Sequence, residues 1–139
     1  MRGPSFNEIF SSFADTLARR FPIACASDEF YYFPQVTIKN PDGRKWDDFS
    51  IETVMDTVTR LKKWEVSLDR LSPQSVDFTA NIDCRLLTKI IRTLKEQLES
   101  VRTWQTQPTS YLIIACVGMT EALLKKDPWA ARELSLIHI

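Results

Sequence analysis

The side chains best suited to metal or covalent chemistry are few in this sequence: one histidine, His138, and three cysteines, Cys25, Cys84 and Cys116. A catalytic zinc centre takes three protein ligands and an open position, commonly with two histidines one helical turn apart as in H-E-x-x-H. A lone histidine cannot build that centre, and a Cys/His nucleophile pair would rest on a residue at the extreme end of the chain, where backbones usually fray. The cysteines are odd in number and far apart with no C-x-x-C pair, which argues against a disulfide framework or a zinc ribbon. They read as small core residues, Cys116 most clearly because its neighbours in "LIIACVGM" are apolar.

Carboxylates are the next candidates. Asp47 and Asp48 stand just before a helix start, so capping or solvation is the simpler reading for them. Asp28 and Glu29 sit in "CASDEFYYF", where aromatic residues can line a pocket. Asp28, Glu29, Tyr31 and Tyr32 are therefore the substrate-cleft candidates, weighed against plain core packing of the aromatics. Neither a G-x-G-x-x-G, a Walker loop nor a G-x-S-x-G occurs, which leaves phosphate-cradling and hydrolase-elbow chemistry without support.

The elements that must position these residues are helical. Phe6, Ile9, Phe10, Phe13, Leu17 and Phe21 recur at steps of three and four, behind a Ser5/Glu8 capping-box pattern, which predicts a helix from about Phe6 to Arg20 closed by Pro22. From Pro22 to Phe49 no helical period is visible; "NPDG" (Asn40 to Gly43) signals a turn, and an ordered, extended, aromatic-rich connection with a short hairpin around Gly43 is expected. Ile51, Val54, Met55, Val58, Leu61, Leu68 and Leu71 trace a second helix that Pro73 stops. Phe78, Ile82, Leu86, Ile90, Leu94, Leu98 and Val101 trace a third from about Val76 to Thr103, a rod of roughly 40 Å. After the break at "QTQP", "TSYLIIACVGMTEALLKK" is apolar on every side, which predicts a helix buried over most of its surface, with a strand over Tyr111 to Val117 as the alternative. "DPWAARE" starts a fresh helix at Asp127 and Pro128. The fold class expected is all-α, a helical bundle fragment of four substantial helices and the first turn of a fifth.

Composition bounds the function. With 139 residues, 44% of them hydrophobic and 26% charged, the chain is that of a folded single domain. Eighteen basic residues balance eighteen acidic ones, so no excess positive charge favours a nucleic-acid partner. The cluster Arg60, Lys62 and Lys63 reads as a solvated helix face. The N-terminus lacks an h-region and the run "YLIIACVGM" is too short to span a bilayer, so no membrane partner is expected and a reducing cytoplasm is the natural setting.

The order "LARRFPIACASDEFYYFPQ", "LDRLSP", "TLKEQLESVRTWQTQPTSYL" resembles the N-terminal region of a bacterial family catalogued as domain of unknown function 885. "CASDEFYYFPQ" and W-x-x-Q-P-T, here Trp104 to Thr109, are the most distinctive matches, and the resemblance runs from Phe6 to Trp129. The family is similar to helical zinc peptidases, and its H-E-x-x-H lies far downstream of the segment represented here. The resemblance implies an N-terminal scaffold without the catalytic part: no metal or cofactor in this chain, zinc in the full-length protein, and as partners the missing C-terminal remainder and a peptide substrate. No metal ligand carries over to any position here.

The tail agrees with that reading. "LSLIHI" matches the translation of a transposon mosaic end used in sequencing-library preparation, so native sequence is expected to stop near Glu133. Residues 1–133 then form part of a larger helical domain, 134–139 are a non-native tail, and His138 belongs to no site.

Overall fold

The computed structural model describes residues 3–36, 46–71 and 78–124, with side chains to residue 120. Among them the fold is all-α, with α1 (Phe6–Arg20), α2 (Pro22–Ala26), α3 (Ile51–Leu71), α4 (Phe78–Glu96), α5 (Thr103–Thr106) and α6 (Pro108–Leu124). No helix among these residues is long and apolar enough to cross a membrane. The turn expected at Asn40–Gly43, the stop at Pro73, the helix start at Asp127 and the tail lie outside the described residues.

The start of α1 follows from its first residues. Ser5 Oγ accepts from the Glu8 amide and the Glu8 carboxylate accepts from the Ser5 amide at 2.7 Å, the reciprocal capping box read from the sequence. Ile9, Phe13 and Leu17 of the predicted stripe are buried, and Phe13 meets Trp64 of α3 edge-on at 5.7 Å. Pro22, placed where a missing N–H costs nothing, ends α1 and opens α2. The connection expected to be extended from Pro22 thus begins as a short helix.

α3 buries Val54, Thr57, Val58, Leu61 and Leu68. α4 packs against it antiparallel: Lys62 pairs with Glu99 at 2.6 Å, Glu65 with Arg92 at 2.6 Å and Asp69 with Arg92 at 3.5 Å, the numbers falling on one helix as they rise on the other. Apart from Glu65 the partners are well exposed, so solvent screens these pairs and they add little; the buried leucines hold the interface.

The stripe predicted for α4 needs correction. Phe78, Ile82 and Leu86 are 79%, 47% and 56% exposed, whereas Leu94 and Leu98 are buried. Four residues overshoot a helical turn by about 40°, so a row of i+4 steps winds from solvent into the core. The buried line is Cys84, Leu87, Ile91, Leu94 and Leu98, in which steps of three and four alternate and keep one face inward. α4 also ends before Thr103: Gln97–Val101 widen into a π-helical turn, and Arg102 adopts a left-handed conformation with φ 54° and ψ 48°. Such a backbone in a non-glycine residue costs about 1 kcal/mol or more, and here it redirects the chain into α5 and α6.

α6 is a helix, which settles the helix-or-strand alternative. Its surroundings differ from the expectation. Among its described side chains Ile114 alone is buried; Leu112 is 65% exposed, Tyr111 is 47% exposed, and Cys116, expected in the core, is exposed. Apolar neighbours in sequence do not bury a residue unless another element covers its face, and among the described helices α6 packs chiefly against α5 and α2. The approach is close at Gly118, where an added Cβ would lie 2.5 Å from Cζ3 of Trp46.

Candidate functional site

The distinctive stretch after α2 is a compact aromatic loop. Ser27 closes α2 by donating its amide to Ile23 O at 2.9 Å, and its hydroxyl accepts from the Glu29 amide at 3.2 Å. Phe33 N donates to Phe30 O at 2.9 Å, closing the turn, and Val36 N donates to Cys25 O at 3.2 Å. The Gln35 amide nitrogen reaches Ser27 O at 2.7 Å, tying the two ends together. Within this turn Phe30, Tyr32 and Phe33 go to the core, where Phe33 packs with Phe21 and Phe49.

The four cleft candidates separate accordingly. Asp28 and Glu29 are exposed, Tyr31 is 80% exposed with its ring edge-on to Tyr32, and Tyr32 is 9% exposed. The Tyr32 hydroxyl shares a hydrogen bond of 3.1 Å with Thr103 Oγ1, and burial raises its phenol above the ordinary value, with the Thr103 bond opposing. Tyr32 is therefore a core residue with a satisfied polar tip that fastens the loop to α5. Asp28, Glu29 and Tyr31 form a solvent-facing edge with hydrogen-bonding and aromatic capacity.

The loop meets the part of the backbone that departs furthest from regular helix: Thr103 follows the π turn and Arg102 directly. Trp104 Nε1 donates to Leu98 O at 3.0 Å and the Arg102 Nε to Glu99 O at 3.1 Å, capturing carbonyls that the ended helix leaves free. In this turn Gln97 Oε1 is buried without a hydrogen-bond partner, a feature uncommon in folded proteins. Through the Tyr32 hydroxyl the "SDEFYYF" segment thus meets Thr103, which is distant from it in sequence and directly precedes the W-x-x-Q-P-T segment.

Asp47 is the group whose ionisation departs most usefully from the ordinary. Its carboxylate accepts from the Ile23 amide at 2.7 Å and the Ala24 amide at 3.0 Å. Burial lifts its carboxyl to about 6, against the downward pull of those two amides. A carboxylate titrating there suits general-base work, but both oxygens are engaged by the backbone of α2. Its neighbour Cys25 is fully buried, and burial first, then the Asp47 charge, pushes that thiol up, away from nucleophilic use. The pair holds structure. Asp48 behaves as the sequence predicts, accepting from Ser50 N at 3.0 Å and from the Thr53 hydroxyl at the start of α3. Asp47 caps too, but on a helix 24 positions upstream, a pairing that no local pattern signals.

Zinc, implied by the resemblance, finds no fit among the described residues: no group of three His, Cys, Asp or Glu side chains there can hold a metal ion. His138 lies outside them. Comparison with family models, with curated proteins and with solved structures found no match to the chain.

Proposed function

We propose that this chain is the N-terminal helical scaffold of a larger protein resembling zinc-dependent peptidases, contributing core and one wall of a cleft while the metal site and general base lie downstream. The observation that carries the reading is α6. A helix apolar on every side belongs inside a larger core, yet Tyr111 and Leu112 stand exposed and only Ile114 of its described residues is buried. The resemblance supplies the peptidase class, and the aromatic loop with Asp28, Glu29 and Tyr31 at its edge supplies the candidate wall. In the bacterial cytoplasm, the partners of this segment are the remainder of its own chain and a peptide substrate.

The test is to read the source DNA across the Glu133 codon without transposon-based preparation. A frame that continues for several hundred codons and contains H-E-x-x-H supports the proposal, and zinc-dependent peptidase assays on the full-length protein then follow. A frame ending after Ile139 overturns it. In the full-length protein, alanine at both Asp28 and Glu29 is expected to reduce turnover with folding retained; unchanged turnover removes these residues from the cleft. The second reading, a helical interaction module without chemistry, is favoured by the exposed apolar residues of α4.

A further inference from the structure

Two patches on the α3/α4 layer are complementary in charge and alike in being apolar. At the start of α3, Ile51 and Met55 are 62% and 54% exposed one helical turn apart, with the exposed carboxylate of Glu52 beside them. In the first half of α4, Ile82 and Leu86 are similarly exposed one turn apart, and Arg85 and Lys89 lie on the same exposed side. Among the described residues neither cation enters an ion pair, whereas Arg92, farther along the same helix, is taken by Glu65 and Asp69.

The antiparallel pairing fixes where the patches sit. Because Lys62 of α3 faces Glu99 and Asp69 faces Arg92, the start of α3 and the start of α4 lie at opposite ends of the layer. A two-fold axis that lies along the outer face and runs across the helices sets each end of one copy on the opposite end of the other, and every contact is made twice. A single copy leaves both patches bare.

We propose that the outer face of the α3/α4 layer is a self-association surface, on which a second copy of this chain docks about a two-fold axis with Ile51, Met55 and Glu52 of one copy on Ile82, Leu86, Arg85 and Lys89 of the other. Opposite charge at the two ends favours this antiparallel docking and disfavours the parallel one, in which like charges meet. The inference rests on exposed apolar spacing and charge, and is independent of the peptidase reading.

The test is sedimentation velocity over a concentration series, with the chain carried on a monomeric soluble fusion partner and circular dichroism confirming the helical content of each variant. A dimer that weakens as salt is raised is expected. Arg85→Glu with Lys89→Glu should weaken it by at least about tenfold, since like charges then meet across the contact, and adding Glu52→Lys should recover much of the loss. A chain that stays monomeric throughout overturns the proposal. So does a dimer indifferent to the charge reversal, which would place the contact elsewhere. Binding of anionic vesicles by an otherwise monomeric chain also overturns it, in favour of a lipid surface.

Discussion

α4 and α6 are the instructive pair. Both are long and rich in apolar residues, but α4 carries its core residues on one line against α3, while α6 is apolar all round and mostly bare. Amphipathic periodicity states which face a helix buries, and the partner need only be amphipathic in return. Uniform apolarity states only that burial is required. Among the described helices α6 packs chiefly against α2 and α5; Ile114 and the Gly118 approach to Trp46 satisfy part of its surface, while Tyr111 and Leu112 stay exposed.

The difference can be broken most severely in the packed layer. Phe13→Ala removes a ring that is 1% exposed and seated against Trp64, and should cost about 3–5 kcal/mol, read by urea denaturation. A loss under about 1 kcal/mol would mean that the site collapses freely, against the packing described. Gly118→Ala comes next. The new Cβ would overlap the Trp46 ring, so α6 or Trp46 must shift, at a cost of about 1–3 kcal/mol, visible as a lower urea midpoint and altered tryptophan emission.

Asp47 sharpens the comparison through pH. Its carboxyl is raised in the folded state to about 6 from 3.8. Between those values the folded protein holds a proton that the unfolded chain has released, so this group's contribution to stability falls as pH rises from about 4 to about 6 and is level above that. Asp56 acts in the opposite sense: hydrogen bonds from Arg60 and then Arg20 lower its carboxyl from 3.8 to about 2, and its contribution, intact above about pH 4, is lost only as pH falls from about 4 toward about 2. Asp47→Asn should therefore flatten the limb between about pH 4 and about pH 6 while leaving the acid limb in place; an unchanged profile would remove Asp47 as its source. The smallest effect is expected on bare α6, where Leu112→Gln should change stability by less than about 0.5 kcal/mol while reducing aggregation and dye binding to exposed apolar surface.

What was legible in the sequence divides along the same line. Residues whose partners lie close in sequence announce themselves: Ser5 with Glu8 and Asp48 with Ser50 and Thr53 stand where spacing puts them, as do Val54, Val58, Leu61 and Leu68 of the α3 stripe, whereas Ile51 and Met55 of that stripe are exposed because no described element covers the start of the helix on their side. The stripe of α4 was half legible, since its i+4 row drifts around the helix while the buried row alternates its steps. Cys116 misleads because apolar sequence neighbours do not supply a tertiary cover. The Asp47 cap on α2, the Tyr32 bond to Thr103 and the left-handed Arg102 depend on segments brought together from afar, and no short pattern encodes them. Of the candidate cleft residues, the sequence located the loop; it could not tell that Tyr32 faces inward while Tyr31 faces out.

Native-state hydrogen exchange on the 139-residue chain tests the contrast between the layer and α6 most directly. The slowest amides should lie along the buried line of α3 and α4, opening only with global unfolding, while those of α6 exchange through local opening at least about a hundredfold faster. Equal protection of α6 and the α3/α4 layer would show that α6 is fully integrated as it stands, and would contradict the reading of this chain as the scaffold of a larger helical domain.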